Sequence, residues 1–499
     1  METYASVPAH DGFVSSREYF EAVVQDLSDP EDGRTHTEVE DLLTAHSQEL
    51  MRRLFQDHLD LRAAREVRRE EVTGTDGVRR ASVEEGHERS LFTVFGQVRV
   101  RRQAYRVKGA RNAYPADGEL NLPVELHSLG LRRLAAVEAV RGSFADASAA
   151  IERARGVGVA TRQVEQLART AAADIALFYS TRRTSPAGTD DLLILQMDGK
   201  GVVMRPEALR EDTAKKAADA KPKLATRTSR GEKRNRKRMA EVGAVYDAAP
   251  VSRTPEQVIT LGTDSEHVKG PKAQGKWLTA SVTEDAAAVI SEVFDEAERR
   301  DPGHQRPWAA VVDGNNHQIE RIQAEATARQ ITVPIVIDFI HVLEYLWASA
   351  WCFFAEGAKA AEEWVAAHAR RILAGRSDLV VAALRRKATC RGLVADKRAR
   401  LEKTITYLVN KRPYLRYDQA LEQGWPIASG VIEGACRYLI KDRMEITGAR
   451  WGLAGAEAVL QLRAVISNGD FDEYWAFHKR QHHQRVHGPR YQEAYALAA

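Results

Sequence analysis

Residues 308–338 read WAAVVDGNNHQIERIQAEATARQITVPIVID, and this stretch decides the fold. A short apolar run at 308–312 leads into an acid, a helical pattern occupies 318–329, and a second apolar run at 333–337 again leads into an acid. A strand, a crossover helix and a second strand form a βαβ unit, in which the two strands pair in parallel. The stretch therefore predicts an α/β fold.

Further elements are predicted on both sides of this unit. The apolar run at 192–195 leads into Asp198 and predicts another buried strand. The remaining predicted elements are strands at 239–247 and 257–262 and helices at 284–299, 342–421 and 429–442.

The first 180 residues are predicted to be mainly helical, with one β-hairpin. Thr37 and Glu40 fit a capping box before a long helix that ends near Arg69, and this helix either dimerises or packs on its own domain. Alternating apolar residues around Phe95 and Gly96 predict the hairpin.

Residues 143–177 have the outline of a helix-turn-helix. Two helical patterns, Ser143–Arg155 and Thr161–Leu177, are separated by a glycine-containing turn. In a DNA-binding helix-turn-helix the second helix enters the major groove. Helical proteins that do not bind DNA also contain this outline.

The composition is that of an ordinary globular protein. The chain has 499 residues, of which 44% are hydrophobic and 29% charged, which excludes wholesale disorder. Its 3 cysteines lie far apart, which argues against a disulfide framework or a cysteine-based zinc ribbon. The first residues lack the pattern of a secretory signal, and charged residues interrupt the most apolar window, 333–354. We therefore expect a soluble, cytoplasmic protein without a membrane span.

Positive charge is concentrated in two segments, although the net charge is only +3. Residues 205–238 contain 13 Lys and Arg against 5 Asp and Glu, and residues 478–490 are basic and rich in histidine. Such segments suit polyanions, with a solvated linker or tail as the alternative. The histidine spacing also suits a metal, but we expect a solvated helix end there. The candidate DNA contacts are the densest cluster, Lys233, Arg234, Arg236, Lys237 and Arg238.

Acidic residues follow three of the predicted strands, namely Asp198, Asp313 and Asp338, and Glu433 lies on a later helix. An acid at the end of a buried strand is solvated, caps a helix or turn, or binds a metal. Mg²⁺ prefers oxygen ligands, and two such ions about 4 Å apart can promote phosphodiester chemistry. The acids are therefore candidate metal ligands, and capping is the alternative for each strand-end Asp.

An ordered set of motifs resembles a known family. The strings are MDGKG at 197–201, VDG at 312–314, DFIHVLEYLW at 338–347, SGVIEG at 429–434, KDRM at 441–444 and TGARW at 447–451. Together they resemble the DDE transposases of bacterial insertion sequences, specifically the Kra-type group, which is related to the mutator-like transposases. The resemblance covers roughly residues 85–490.

The resemblance implies a ribonuclease H-like catalytic core interrupted by an all-helical insertion. It implies that Asp198, Asp313 and Glu433 bind two Mg²⁺ or Mn²⁺ ions, with Asp338 and His341 in a supporting role. In the alternative assignment, Asp338 takes the place of Asp313 as the second metal ligand. The expected regions are 1–85 (helical), 86–180 (hairpin and helix-turn-helix), 190–341 (core, with basic insert 205–238), 342–421 (insertion), 422–477 (end of the core) and 478–499 (basic tail).

The activity implied is cleavage of the ends of an insertion sequence and joining of their 3′-hydroxyls to target DNA. The partners implied are double-stranded DNA, both terminal inverted repeats and target, and further copies of the chain in a homodimer or larger assembly. A domesticated, non-catalytic DNA-binding protein and a structure-specific nuclease are the alternatives.

The segment that follows Glu433 in the sequence contains four further candidate DNA contacts. Lys441, Arg443 and Arg450 follow Glu433 on or just beyond its helix and are expected to face the same DNA strand. Trp451 either stacks on an unpaired base or fills the core.

Overall fold

The computed structural model of the chain describes residues 12–182, 191–219, 236–260, 266–446 and 448–490. It divides into two compact units. Unit 1 combines residues 1–180 with 470–499, and unit 2 comprises residues 181–469. Of the candidate DNA contacts, Lys233 and Arg234 lie outside the described residues.

Unit 1 begins with two helices and a long hairpin. Its elements before residue 182 are α1 Val14–Leu27, α2 His36–Ala64, β1 Val72–Thr73, β2 Arg79–Arg80, β3 Ser82–Thr93, β4 Gly96–Arg106, α3 Pro115–Glu119, α4 Leu129–Ala139, α5 Phe144–Arg155, α6 Thr161–Ala171 and α7 Ile175–Thr181. The predicted hairpin is confirmed, since β3 and β4 pair antiparallel with Thr93 opposite Gly96.

The long helix is confirmed, but it ends at Ala64 rather than near Arg69, and its predicted cap is wrong. The capping box uses Thr35 and Glu38, two residues earlier than the expected pair. Thr35 is extended and accepts a hydrogen bond from the Glu38 N–H, while the Glu38 carboxylate accepts one from the Thr35 N–H at 2.7 Å. The sequence offers T-x-x-E in both registers, and the earlier one satisfies the first free N–H groups of the helix.

The two helices of the helix-turn-helix outline, and the turn between them, are confirmed. α5 begins at a Ser143 cap and ends at Gly156, whose φ of +60° suits glycine, and α6 starts at Thr161. The second helix is shorter than predicted, because it ends at Ala171 and α7 follows as a separate element. Its buried residues are Val164, Leu167, Ala168 and Ala171.

Unit 2 is an α/β unit built on a mixed five-stranded sheet. Its elements are β5 Leu192–Val203, α8 Glu211–Asp219, β6 Lys237–Ala248, α9 Pro255–Val258, β7 Gln274–Ser281, α10 Ala286–Arg300, β8 Trp308–Val312, α11 Asn316–Ala328, β9 Ile335–Ile337, α12 Phe339–Phe353, α13 Lys359–Leu373, α14 Ser377–Cys390, α15 Ala395–Lys411, α16 Tyr417–Glu422, α17 Gly430–Ala435, α18 Asp442–Met444 and α19 Leu453–Ser467.

The strand order in this sheet is β7-β6-β5-β8-β9. β5 pairs antiparallel with β6 and parallel with β8, and β8 pairs parallel with β9. The predicted βαβ unit is thus confirmed. Gly243 on β6 lets α10 approach closely, because a Cβ there would lie 2.3 Å from Val293 Cγ2.

The predicted third strand is misplaced. Within 257–262, residues 257–258 belong to the short helix α9, which Thr254 caps, and residues 261–262 lie outside the described part of the chain. The strand beside β6 is β7 instead. A Thr-Pro pair before Gln257 favours a helix start, since proline at the first helical position has no N–H to leave unpaired.

The helical region after the sheet is confirmed. Helices α12 to α16 pack on one face of the sheet in a continuous core that includes Ile194, Val311, Leu346 and Leu384. Within the part of the chain that the structure describes, no helix combines the length and the apolar character needed to cross a membrane.

The basic segment 478–490, as far as the structure describes the end of the chain, belongs to a packed helix and the turn after it. α20 spans Phe471–Val486. Its histidines His478 and His482 are buried, and so is His487, which follows its last residue. His478 Nδ1 lies 2.7 Å from Asp174 Oδ2, and Arg132 donates to His478 Nε2 at 3.3 Å, so the ring is neutral with its proton on Nδ1. The expected solvated helix end is therefore wrong, because these rings take hydrogen-bond partners inside unit 1.

The buried histidines predict that the protein loses stability in mild acid. Burial, with nearby Arg132, lowers the pKa of His482 to about 3, and burial lowers that of His487 to about 4. The unfolded chain takes up protons near pH 6.5, which the folded rings accept only at much lower pH. The neutral rings make their full contribution to the free energy of unfolding above about pH 7, and this contribution is lost as the pH falls from about 6.5 towards 4.

This acid sensitivity is measurable as the melting temperature between pH 7.5 and 5. In the wild type we expect the melting temperature to fall between pH 7.5 and pH 5, and in the double variant His482→Gln, His487→Gln we expect a smaller fall. The control His36→Gln, at a side chain that is 92% exposed, should leave it unchanged. An equal drop in all three proteins would contradict a role for the buried rings.

Candidate metal centre

The three strand acids lie near one edge of the sheet, where the parallel strands β5, β8 and β9 meet. Asp313 directly follows β8, and Asp338 directly follows β9. Asp198 lies inside β5, which corrects its predicted position at a strand end. β5 pairs with β8 only as far as Gln196, but its pairing with β6 continues to Val203.

Asp338 is the most constrained of these acids, since it has no exposed surface. Its Oδ1 accepts a hydrogen bond from the Ile340 N–H at 2.7 Å and caps α12. Its Oδ2 accepts bonds from the Ser429 N–H, at 3.0 Å, and from the Ser429 hydroxyl. Asp338 therefore joins the end of β9 to the residue that precedes α17.

The structure brings Asp338, His341 and Glu433 together. One ligand atom from each lies within 4.8 Å of the others, and among the described residues no other group of three or more acids, histidines or cysteines does so. This differs from the expected triad, in which Asp198 and Asp313 accompany Glu433. The local reason is that Ser429 holds Asp338, and its hydroxyl also lies 3.5 Å from Glu433 Oε1.

Asp198 and Asp313 make mainly local contacts. Asp198 Oδ1 accepts the Gly199 N–H at 2.7 Å, and its Oδ2 accepts the thiol of Cys436 at 3.3 Å. Asp313 Oδ1 accepts the Asn315 N–H at 2.8 Å. The turn after Asp313 requires Gly314, whose φ is +95° and where a Cβ would lie 3.2 Å from the Tyr407 hydroxyl.

The acids nevertheless share one electrostatic environment. Burial raises the pKa of Asp198, Asp313 raises it further, and His341 lowers it. Partial burial and the Asp338 carboxylate raise the pKa of Glu433. Crowded carboxylates repel one another, so a divalent cation would relieve the repulsion and favour the ionised forms.

Sequence reasoning missed one further acid, Glu241 on β6. It lies opposite Gly199, where a Cβ would come within 3.0 Å of Glu241 Oε2. Burial and the nearby Asp198 raise the pKa of Glu241. The available signal was a single acid within the otherwise apolar strand MAEVGAVY.

The described part of the basic cluster is only partly available to a partner. Arg236 is exposed. Lys237 Nζ lies 3.7 Å from Glu445 Oε1, and Arg238 donates to the carbonyls of Val282 and Thr283 at 2.7 and 3.2 Å. Arg238 thus holds the connection after β7, which weakens its case as a phosphate contact.

The residues after Glu433 also divide into two groups. Lys441 and Arg450 are exposed, which leaves them available as DNA contacts. Arg443 is 2% and Trp451 5% exposed, and the Arg443 guanidinium lies 4.7 Å from the centre of the Trp451 ring. The Trp451 indole N–H donates to the Met444 carbonyl at 3.0 Å. This corrects the expectation that Arg443 faces DNA, and of the two alternatives for Trp451 it favours packing in the core.

Trp451→Phe is therefore expected to lower stability. The variant leaves the Met444 carbonyl without its donor and removes buried ring area, which together cost about 1–3 kcal/mol. A melting temperature several degrees lower, with normal activity per folded molecule, is the expected result. Unchanged stability with defective activity would contradict the packing role.

The comparisons with known proteins leave the site to be interpreted from its own chemistry. Neither a scan of the chain against protein-family models nor a search of the curated proteins found a match. The Asp338–His341–Glu433 group offers two carboxylates and an imidazole, which is a donor set that could hold a metal ion.

Proposed function

We propose that this protein is a DNA transposase of the DDE type. It would cleave the ends of an insertion sequence and join the freed 3′-hydroxyls to target DNA. The observation that carries the proposal is the convergence of acids from β5, β8, β9 and α17 on one region of unit 2. Phosphoryl transfer demands mainly positioned charge, which such a set supplies.

The topology of unit 2 supports a ribonuclease H-like core. Its sheet has an antiparallel strand, β6, between β7 and the central strand β5, with parallel strands β8 and β9 on the other side. The helices α12 to α16 fall between β9 and the helix that carries Glu433, as the resemblance implies for an insertion.

The residues would hold a pair of Mg²⁺ or Mn²⁺ ions in two groups. Asp338, His341 and Glu433 have ligand atoms within 4.8 Å of one another, and Asp198 and Asp313 interact electrostatically. Glu433 would belong to both groups of acids, with Asp338 and His341 on one side and Asp198 and Asp313 on the other. Asp338 Oδ1 accepts only the Ile340 N–H and so has a second lone pair for a metal, whereas Oδ2 already accepts two hydrogen bonds from Ser429. When bound, the ions activate the attacking oxygen and stabilise the leaving oxygen. Ser429 keeps the Asp338 carboxylate in a fixed orientation.

Unit 1 supplies the features expected of a DNA-recognition element. α6 is the second helix of the helix-turn-helix, and its exposed face presents Arg162, Gln166 and Arg169 at i, i+4 and i+7. Arg and Gln are the side chains that read guanine and adenine edges in the major groove. α6 would therefore recognise the terminal inverted repeats, as a dimer or larger assembly binds both ends.

Changing this face should alter sequence preference. We expect Arg162→Gln, Arg169→Gln to change the consensus that the protein selects from a random duplex library. Binding to the wild-type consensus should weaken by about 1–3 kcal/mol for each lost bidentate contact. The control Arg141→Gln, an exposed arginine in the α4–α5 connection, should select the wild-type consensus. An unchanged consensus in the double variant would rule out α6 as the reading helix.

A strand-transfer assay tests the proposed activity against its alternatives. The substrate is the selected duplex, with Mg²⁺ or Mn²⁺ and a target plasmid. Joined product supports a transposase, cleaved product without joining supports a structure-specific nuclease, and binding without either supports a non-catalytic DNA-binding protein.

A further inference from the structure

Unit 1 contains a cavity of about 440 Å³ whose polar lining is dominated by arginine. Five arginines line it against two aspartates, an excess of three positive charges. The arginines are Arg80, Arg89, Arg102, Arg111 and Arg490, and the aspartates are Asp76 and Asp117.

Both aspartates are already paired inside the cavity wall. Arg80 donates to Asp76 Oδ2 at 2.6 Å, and its Nε donates to the Arg111 carbonyl at 2.8 Å. Arg102 Nε lies 2.6 Å from Asp117 Oδ1, and the Arg102 guanidinium lies 4.3 Å from the centre of the Tyr114 ring. These pairs leave Arg89, Arg111 and Arg490 without a carboxylate of their own.

The three remaining guanidinium groups form no salt bridge with a described carboxylate. Arg89 is partly buried and donates only to backbone carbonyls, those of Pro123 and Glu125 at 2.9 and 2.8 Å among them. Burial lowers its pKa, and the positive charges of Arg102 and Arg490 act in the same direction, although the Asp117 carboxylate partly offsets them. Arg111 and Arg490 are exposed, and their guanidinium groups make no hydrogen bond or salt bridge with another described residue. Like charges held this close are costly unless an anion neutralises them.

We propose that this cavity binds a terminal phosphate group, carried by a free nucleotide or by the end of a nucleic-acid strand. Its volume is in the range of small-molecule sites, and the guanidinium fork matches phosphate oxygens. The lining extends from buried Arg80 to exposed Arg111 and Arg490, so a phosphate that ends a molecule can enter more readily than one within a duplex. The site is independent of the metal-dependent chemistry proposed for unit 2.

Inorganic phosphate is the first probe. It should raise the melting temperature of the full chain more than chloride does at equal ionic strength. The double variant Arg111→Gln, Arg490→Gln removes exposed groups, so it should fold normally and bind phosphate roughly tenfold or more weakly, as expected for charge-assisted hydrogen bonds. The control Arg141→Gln should bind as wild type. The proposed site would be ruled out if phosphate raised the melting temperature of all three proteins equally. It would also be ruled out if phosphate raised the melting temperature no more than chloride does.

The source of the phosphate is tested with one single-stranded oligonucleotide, either 5′-phosphorylated or 5′-hydroxylated. Tighter binding of the phosphorylated form, lost in the double variant, identifies a strand end. Equal binding of the two forms, together with phosphate and nucleoside monophosphate binding that the variant loses, identifies a free nucleotide. If the wild-type protein binds phosphate at this site but joins no DNA in the strand-transfer assay, the result counts against the proposed function and not against the phosphate site.

Discussion

Glu433→Gln is expected to reduce metal-dependent cleavage and joining of DNA by roughly a thousandfold or more. Glu433 belongs both to the triad implied by sequence and to the cluster observed with Asp338 and His341. A bound metal contributes several kcal/mol of transition-state stabilisation, and each 1.4 kcal/mol is a factor of ten in rate. The measurement is single-turnover cleavage of the selected duplex.

The loss should be specific to the chemical step. Glu433 is exposed, so the variant should keep the melting temperature of the wild type, and its affinity for DNA should change little. Glu422→Gln, at an exposed carboxylate at the end of α16, is the matched control and should cleave normally. A Glu433→Gln variant that cleaves at the wild-type rate would remove the proposed centre from the reaction.

Asp338→Asn is expected to lower both stability and activity. Each carboxylate oxygen of Asp338 accepts a backbone N–H, one from Ser429 and the other from Ile340. An asparagine has only one amide oxygen, so in either orientation its NH₂ group would face one of these two N–H groups and leave it without an acceptor. An unsatisfied buried group costs about 1–3 kcal/mol, which corresponds to a melting temperature lower by roughly 3–10 °C for a unit of this size.

Comparison with Asp313→Asn decides which aspartate is the second metal ligand. Asp313 accepts one local N–H and is only partly buried, so its variant should be nearly as stable as the wild type. If Asp313→Asn cleaves normally while folded Asp338→Asn does not, Asp338 is the ligand. Loss of cleavage in Asp313→Asn with full stability supports the triad that the resemblance implies.

Local periodicity predicted much of the fold. The βαβ unit at 308–338, the hairpin and the helix-turn-helix outline each depend on a pattern within one short stretch. β7 was missed because its first residues, Gln274–Lys276, are polar and include Gly275 at a φ of +54°. That strand is specified by pairing with β6 rather than by its own alternation.

The site was predictable as a set of acids but not as a geometry. Apolar runs located Asp313 and Asp338, yet the contact of Asp338 with Ser429 joins positions 91 residues apart. The burial of Arg443, Trp451 and the histidines of α20 likewise depends on long-range packing. Charge and aromatic character indicated surface roles for these residues, and tertiary contacts gave them interior ones.

Unit 1 is assembled from two stretches of chain that a ribosome makes at different times. All of unit 2 is synthesised between α7 and α20, and at about 5–20 residues per second this takes roughly 15–60 s. During that interval Asp174 and Arg132 lack His478, and the Ala171 carbonyl lacks the Tyr474 hydroxyl. Unit 2 can therefore fold first, whereas unit 1 remains incomplete on the ribosome. A chaperone that binds nascent chains would have its longest opportunity at the surface that α20 later covers.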